Sequence, residues 1–243
     1  MNWKLLLGRF FYHFELQLLK TNIRFVTKNY PYDRNWIFDA KKILNSDVAV
    51  IVDAGANIGS VSTELNYWFP DAKIFAFEPV ARTFATLKSN VNKLSNIQPY
   101  QLGLGDTQQK ISINLNPENT INSIKSDFNN LENIEREEIT IITLNDFLTE
   151  SGIKDVDILK IDVEGFEFEV LYGCKHFLQS IKLIILEVGF ERESTKVHFS
   201  DVDNFMEKNE FQLCGIYETR RSLTDKRKLW YANNMYVQKK LLT

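Results

Sequence analysis

The segment Asp53-Ala-Gly-Ala-Asn-Ile-Gly59 directly follows the apolar run Val48–Val52 and combines one carboxylate with two glycines. Glycine lets a backbone bend sharply and lets a ligand come close to it. Free backbone N–H groups at the start of a following helix can then hold a carboxylate or a phosphate. The Asp53 carboxylate would attract an amine and repel a pyrophosphate. The segment therefore predicts a site for a zwitterion, such as the amino-acid end of S-adenosylmethionine.

Acidic side chains also end the next two predicted strands. Glu78 closes the second strand, where a carboxylate can accept hydrogen bonds from both hydroxyls of a ribose. Asp106 follows the third strand, where it could accept a hydrogen bond from the amino group of an adenine. Open parallel sheets bind ligands at the carboxyl ends of their strands. The expected donor-binding residues are Asp53, Gly55, Ala56, Asn57, Gly59, Glu78, Pro79, Gly105 and Asp106.

A nicotinamide dinucleotide is the main alternative ligand for such a turn. A G-x-G-x-x-G loop that begins at Gly55 would need glycine where the chain has Asn57 and Ser60. The Tyr-x-x-x-Lys match from Tyr236 to Lys240 lies on a predicted strand at the C-terminal end of the sequence. Both observations favour S-adenosylmethionine over a dinucleotide.

A second group of charged residues lies on two later strands. Lys160 and Asp162 share one strand face because side chains alternate with a period of two, and Glu164 follows at the strand's end. Glu187 closes the neighbouring strand in the same way. These carboxylates could deprotonate or orient a substrate hydroxyl, or hold a divalent cation. A helix cap at Glu164 and an ion pair of Lys160 with a carboxylate are the structural alternatives.

His198 completes the expected catalytic set of Asp162, Glu164, Glu187, His198 and Lys160. It lies in a polar loop after the strand that ends at Glu187, and histidine has a pKa suited to a general base. The other two histidines, His13 and His176, are expected to pack or to face solvent. The three histidines do not show the spacing of a metal site.

Short apolar runs alternate with helix-length amphipathic segments from residue 48 onward, which predicts a parallel sheet covered on both faces by helices. Strands are expected over 48–53, 73–79, 98–103, 156–162, 182–188, 211–217 and 228–238. Helices are expected over 58–68, 81–93, 164–179 and 201–208. Strands 110–116 and 138–144 flank an Asn-rich stretch and indicate a hairpin-like insertion with a mobile loop.

The bulk composition narrows the function classes. The chain has 243 residues, a net charge of −3 and 44% hydrophobic residues, which is typical of a soluble globular protein and argues against a nucleic-acid partner. The two cysteines, Cys174 and Cys214, do not have CxxC spacing and are expected to be buried thiols in a reducing cytoplasm. Residues 1–45 are expected to form a helical extension and residues 46–243 one doubly wound α/β domain. The extension is predicted to pack on the domain, with membrane-surface contact as the alternative. The basic stretch 220–228 is expected to be a solvated loop.

Taken together, these motifs resemble the FkbM-type methyltransferases over about residues 46–240. The resemblance depends on VDAGANIGSVS, IFAFEP, LGLGD, ITLNDFL, LKIDVEGFEFEVLYG and IILEV. It implies a class I methyltransferase fold, Rossmann-like, with a seven-stranded sheet whose last strand is antiparallel. It also implies methyl transfer from S-adenosylmethionine to an oxygen of a sugar, glycan or natural product. Asn145 departs from the aspartate that is common at its position, and Asp146 follows it directly.

The resemblance assigns the donor loop to Asp53, Gly55, Asn57 and Gly59, with Asp162 and Glu164 on the acceptor side. Two other functions remain open on the residues alone. One is a nucleotide-dependent oxidoreductase, and the other is a non-catalytic binding protein on a methyltransferase fold. A divalent cation, the acceptor and the oligomeric state are left open as well.

Overall fold

The computed structural model describes residues 14, 17, 31–45, 47–115, 136–192 and 196–242. The chain divides into two compact units, Met1–Arg34 and Asn35–Thr243, and the fold below is that of the second unit. Helix α1 (Trp36–Ile43) lies before the domain boundary expected at residue 45 and belongs to this second unit. The amphipathic helix expected near the N-terminus and the loop expected within 116–137 lie largely outside the described residues.

The described residues of the second unit contain one seven-stranded sheet with the order β3-β2-β1-β7-β8-β10-β9. Five of its strands pair in parallel, and β10 is antiparallel to both of its neighbours, β8 and β9. This confirms the expected class I architecture. The strands are β1 (Val50–Ala54), β2 (Lys73–Phe77), β3 (Ile97–Tyr100), β7 (Val156–Ile161), β8 (Ile181–Gly189), β9 (Phe211–Arg221) and β10 (Leu229–Gln238).

Helices cover the sheet and account for its continuous apolar strands. All six residues of β7 are buried, because strands at the centre of a parallel sheet have helices on both faces. The main hydrophobic core lies around these strands and includes Leu159, Ile184 and Phe77. The helices after α1 are α2 (Ser60–Trp68), α3 (Ala81–Val91), α4 (Leu144–Glu150), α5 (Glu167–Gly173) and α6 (Phe199–Lys208).

The insertion forms a sheet of its own. Strand β5 (Gln109–Asn114) pairs antiparallel with β6 (Arg136–Ile142), which confirms the expected strand pair. Strand β4 (Gly103–Leu104) pairs with β6 in parallel, so the described part of this sheet has three strands. The single third strand expected over 98–103 is therefore wrong: the chain leaves the main sheet after Tyr100 and joins the second sheet at Gly103.

The helix expected over 164–179 is also different from the prediction. It begins only at Glu167, because Glu164 and Gly165 have φ values of 53° and 98° that a right-handed helix excludes. It ends at Gly173 and is followed by a 3₁₀ helix from Lys175 to Ser180. The late start places Glu164 on a tight turn at the carboxyl end of β7.

Within the described residues, no helix has the length and apolar character needed to span a lipid bilayer. Both cysteines are free thiols, with Cys174 buried and Cys214 half-buried. The burial of Cys174 agrees with the sequence-based expectation of buried thiols, whereas Cys214 is less buried than expected.

One buried carboxylate joins three strands at the end of the sheet opposite to the strands' carboxyl ends. Asp157 Oδ2 accepts hydrogen bonds from the backbone N–H groups of Ala49 and Val50, at 2.7 and 2.8 Å. Its Oδ1 lies 2.6 Å from Nζ of Lys182 at the start of β8. Asp157 thereby links the N-terminal ends of β1, β7 and β8.

We expect Asp157→Ala to lower the free energy of unfolding by about 1–3 kcal/mol, because two backbone donors and one ammonium lose their acceptor. Asp155→Ala is the matched control, since Asp155 is exposed and lies two positions earlier in the chain. Urea unfolding followed by circular dichroism measures both variants. Equal stabilities of the two variants would contradict the linking role of Asp157.

Candidate active site

The glycine segment after β1 adopts a conformation that requires its glycines. Gly55 and Gly59 have φ values of 76° and 86°, in the left-handed region that side chains disfavour. A Cβ at Gly55 would lie 1.9 Å from the backbone oxygen of Asp162. A Cβ at Gly59 would lie 2.7 Å from Cδ1 of Leu87 on α3. Gly55 therefore allows the turn after β1 to pack directly against the turn after β7.

Asp53 is completely buried, with one carboxylate oxygen in a hydrogen bond and the other in an ion pair. Its Oδ2 accepts a hydrogen bond of 2.6 Å from the Ser62 hydroxyl, and its Oδ1 lies 3.2 Å from Nζ of Lys160. The sequence suggested that this carboxylate attracts a ligand's amine directly, and the geometry does not support that role. The physical reason is that Lys160, the register partner of Asp53 on β7, already supplies the opposite charge.

The buried ammonium of Lys160 contacts both the turn after β1 and the turn after β7. Besides Asp53, its ammonium lies 3.4 Å from Oδ2 of Asp162 and donates a hydrogen bond of 3.1 Å to the carbonyl oxygen of Gly55. Burial lowers the pKa of Lys160, but the nearby charges of Asp53 and Asp162 outweigh it and raise the pKa above the ordinary value. Lys160 therefore stays charged and lies where it can orient Asp162, and its membership of the catalytic set stays a prediction.

Glu78 stands at the end of β2 and is held by the backbone. Its Oε2 accepts a hydrogen bond of 3.1 Å from the N–H of Asn57, and its Oε1 accepts one of 3.0 Å from the N–H of Val80. Burial is the main cause that raises the pKa of Glu78 to about 7, against the opposing effect of these two hydrogen bonds. Its carboxyl group is thus fixed in place and can change its protonation near neutral pH.

A cavity at the carboxyl edge of the sheet brings part of the expected site together. It is bordered by Gly55, Asn57, Glu78 and Pro79 on one side and by Asp162 and Glu164 on the other. Its apolar walls come mainly from the insertion sheet and from the turn before α5: Val80, Leu104, Ile113, Ile139, Ile141, Val163 and Phe166. Asp53, Ala56, Gly59, Gly105 and Asp106 do not line the cavity. The wall from the insertion sheet agrees with the expectation that loop insertions of this kind are a common place for substrate contacts, although the sequence did not indicate which residues form the wall.

The expected convergence of Asp162, Glu164 and Glu187 is present. One carboxylate oxygen from each residue lies within 4.8 Å of the others. The side chain of Asp162 is 41% exposed, whereas those of Glu164 and Glu187 are 24% and 13% exposed. Asp162 is therefore the carboxylate that a ligand in the cavity reaches most easily.

Lys196 is a member of this cluster that sequence reasoning missed. Its ammonium lies 3.4 Å from Oε2 of Glu164 and contacts Oε2 of Glu187 directly. It also lies 4.6 Å from the centre of the Tyr231 ring, a cation–π contact. Lys196 lies between β8 and α6. The periodicities that identify strands and helices do not predict that this lysine reaches Glu187 at the end of β8.

The two glutamates of the acidic cluster have raised pKa values. Burial is the main cause that raises the pKa of Glu187 to about 7, with Lys196 opposing it and the charge of Asp162 adding to it. Burial likewise raises the pKa of Glu164 above its ordinary value. Glu187 can therefore hold or release a proton near neutral pH.

His198 is the N-cap of α6. Its Nδ1 accepts a hydrogen bond of 3.3 Å from the backbone N–H of Ser200 and lies 2.8 Å from the Ser200 hydroxyl. The residue does not line the cavity. The structure thus gives His198 a capping role through Nδ1, and its role as a general base stays a prediction.

The comparison with protein families decides the identity of the domain. Residues 53–213 match the model of the methyltransferase FkbM domain. The chain belongs to the FkbM methyltransferase family. This confirms the resemblance found in the sequence motifs.

Two relatives of this FkbM protein are methyltransferases whose names state the acceptor or the position methylated. The hexuronic acid methyltransferase AglP of Haloferax volcanii is 34% identical over 57% of this chain and 55% of its own length. The 2-O-methyltransferase NoeI of Sinorhizobium fredii is 27% identical over 60% of this chain and 65% of its own length. The matched regions therefore span less than two thirds of these relatives.

A solved structure shows the same fold as the FkbM domain. The METTL16 MTase domain (crystal form 2) has a TM-score of 0.51 and 12% identity, and the match covers 84% of this chain and 65% of that one. At this identity the likeness supports the Rossmann-like methyltransferase fold and nothing finer. The expected absence of a nucleic-acid partner stays a prediction.

We expect Gly55→Ala to lower the free energy of unfolding of this FkbM protein by about 3 kcal/mol or more, since backbone atoms of two turns must separate. Gly152→Ala is the matched control. Gly152 has a similar φ of 66°, but no atom lies within 4 Å of the position of its Cβ. Its expected loss is the conformational cost of about 1–2 kcal/mol. Thermal and urea unfolding measure the difference, and equal losses would refute the packing of Gly55 on Asp162.

A buried glutamate beside the cavity generates a pH prediction. Glu167 Oε1 accepts hydrogen bonds from the backbone N–H groups of Gly165 and Val163, at 3.1 and 3.3 Å. Burial is the main cause that raises the pKa of Glu167 from 4.5 to about 7. The folded protein therefore holds this proton more tightly than the unfolded chain does, so ionisation of Glu167 destabilises the fold as the pH rises from 4.5 toward 7.

We expect Glu167→Gln, which resembles the protonated side chain, to gain stability relative to the unsubstituted protein as the pH rises from 4.5 to 7. Above pH 7 the gain should level off, because the glutamate is then ionised in both states. Urea unfolding at several pH values measures the gain. Glu150→Gln, at an exposed position, controls for the loss of a negative charge. A gain that does not depend on pH would contradict the raised pKa.

Proposed function

We propose that this protein transfers a methyl group from S-adenosylmethionine to a hydroxyl group of a sugar, a glycan or a natural product. The observation that carries the proposal is the cavity itself. Glu78 and the turn after β1 border one side, and the open carboxylate of Asp162 borders the other. One pocket thus offers groups for a nucleoside beside groups for a hydroxyl acceptor.

The donor side of the cavity fits the chemistry of S-adenosylmethionine. The fixed carboxyl group of Glu78 suits the ribose hydroxyls, and apolar side chains such as Pro79, Ile141 and Phe166 suit the faces of an adenine. Gly55 and Asn57 line the cavity with the turn that would face the amino-acid end. The remaining expected contacts, including that of Asp106 with the adenine amino group, stay predictions. When bound, the cofactor supplies an electrophilic methyl group on a sulfonium.

The acceptor side supplies groups for the removal of a proton. We assign Asp162 as the base or the orienting group for the acceptor hydroxyl, because it is the most exposed carboxylate of the cluster and lines the cavity. Asp162 would accept the hydroxyl proton while the acceptor oxygen bonds to the methyl carbon, and the cofactor, whose carbon–sulfur bond breaks, would leave as S-adenosylhomocysteine. Glu187, with its pKa raised to about 7, is the next candidate to hold that proton. Lys160 keeps Asp162 in place.

The names of two relatives and the carboxylates near the cavity support a hydroxyl group of a sugar as the methyl acceptor. The names of AglP and NoeI refer to a hexuronic acid and to 2-O-methylation. The carboxylate groups near Asp162 match a hydroxyl nucleophile, which needs to lose a proton, and we extend the oxygen chemistry to this chain on that ground. Membership in the FkbM family favours methyl transfer over the hydride transfer of an oxidoreductase.

Isothermal titration calorimetry with S-adenosylhomocysteine and with NAD tests the donor. Methyl-labelled S-adenosylmethionine with a panel of methyl glycosides, neutral and uronic, tests the acceptor class. Binding of S-adenosylhomocysteine together with labelled glycoside supports the proposal. Binding without transfer to any glycoside or cell extract would favour a non-catalytic binding protein, and selective binding of NAD would favour an oxidoreductase.

We expect Asp162→Asn to lower the transfer rate by about 10²–10⁴-fold, since an amide cannot take the hydroxyl proton. The rate is measured with labelled donor and the best glycoside of the panel. Asp155→Asn, at an exposed position at the opposite end of β7, should leave it unchanged. Full turnover of Asp162→Asn with unchanged affinity for S-adenosylhomocysteine would rule out Asp162 as the base.

A further inference from the structure

The cluster of Asp162, Glu164 and Glu187 has the composition of a divalent-cation site, yet it already contains a cation of its own. Oxygen ligands from several carboxylates are what Mg²⁺ and related ions prefer. In this structure the ammonium of Lys196 contacts Glu187 directly and lies 3.4 Å from Glu164. The ammonium also lies over the Tyr231 ring, 4.6 Å from its centre.

The side chain of Lys196 is held in a mostly buried position. Its side chain is only 10% exposed, although lysine side chains are normally solvated. Burial lowers the pKa of Lys196, but Glu187, Glu164 and Asp162 outweigh this and raise it above the ordinary value. The ammonium thus remains charged, and a divalent ion among the same carboxylates would have to displace it or sit beside a like charge.

We propose that Lys196 is an internal cation that takes the place of a divalent metal ion at the acceptor side of the cleft. It is a positioning residue. By binding Glu164 and Glu187 together, it fixes two carboxylates beside the cavity and leaves Asp162 as the one that faces a ligand. Lys160 has the same relation to Asp53 and Asp162, so each lysine bridges a pair of carboxylates. This role within methyl transfer rests on the proposed function, but the cation exchange that it implies does not.

The decisive variant is Lys196→Met, which keeps an unbranched side chain up to the ε position and removes the ammonium with its charge. We expect the unsubstituted protein not to bind Mn²⁺ measurably at this cluster, and Lys196→Met to bind Mn²⁺ at least about tenfold more tightly, in the range of weak carboxylate sites. Mn²⁺ binding is measured by electron paramagnetic resonance and calorimetry on the full chain. A purely structural role of Lys196 would not create a cation site.

Two further variants control the experiment. Lys196→Arg keeps the charge and should bind no more Mn²⁺ than the unsubstituted protein. Lys228→Met removes an ammonium that lies 3.4 Å from Glu191, has a side chain 62% exposed and is outside the cluster. It should likewise gain no Mn²⁺ site.

Several outcomes would overturn the proposal. They are Mn²⁺ binding by the unsubstituted protein that Glu187→Gln abolishes, a folded Lys196→Met that gains no Mn²⁺ affinity, and an equal gain in Lys228→Met. If Lys196→Met does not fold in metal-free buffer, it is refolded with and without MnCl₂. Recovery only with Mn²⁺ supports the proposal, and no recovery contradicts it.

Transfer measurements add an independent check once an acceptor is found. The unsubstituted protein should keep its rate in EDTA, and loss of the rate in EDTA would contradict an internal cation. Mn²⁺ binding can be measured without a methyl donor or acceptor. A failure of the methyl-transfer proposal would therefore not change the result on Lys196, and a failure of the Lys196 proposal would not exclude methyl transfer.

Discussion

The layout of the cleft depends on the ion pairs that Lys160 makes between the central strands β1 and β7. Asp53 has no exposed surface, and an isolated carboxylate in that position would cost several kcal/mol. The register of the two strands places Asp53 directly beside Lys160, and the Ser62 hydroxyl occupies the other carboxylate oxygen. With Asp53 neutralised in this way, the same ammonium still reaches Asp162 and the carbonyl oxygen of Gly55. The donor turn and the acceptor carboxylate are therefore held by one buried charge.

The strands of the sheet could be predicted from the sequence because burial on both faces leaves continuous apolar runs. Strand β7 and strand β8 are such runs, and their observed bounds differ from the predicted ones by at most one residue at each end. The predicted bounds are wrong where local backbone geometry, not hydrophobicity, determines where an element begins or ends. The left-handed residues Glu164 and Gly165 delay the start of α5, and the departure of the chain at Tyr100 depends on pairing with a distant strand, β6.

The site was predictable in its positions but less so in its contacts. The period of two along β7 and the parallel order of β7 and β8 bring Asp162 and Glu187 to one edge, as expected. Side-chain direction is a different matter. Asp53 turns toward the interior because Ser62 on α2 and Lys160 satisfy it there, and His198 uses a ring nitrogen to cap α6. The ion pairs of Lys196 were not predicted, because the residue lies outside the helices and strands and its position cannot be found from a periodic pattern.

The same contacts bear on how a methyltransferase of this kind would gain its rate. In-line transfer benefits most from holding the two reactants close and aligned, which can supply up to about 7–11 kcal/mol of the barrier. Here the turn after β1 packs on the turn after β7 so closely that a single methyl group at Gly55 would overlap the backbone oxygen of Asp162. Lys160 bonds to both turns across this contact. Under the proposed function, the separation of donor and acceptor is therefore set by backbone packing and one buried ammonium, and the carboxylates act within that fixed frame.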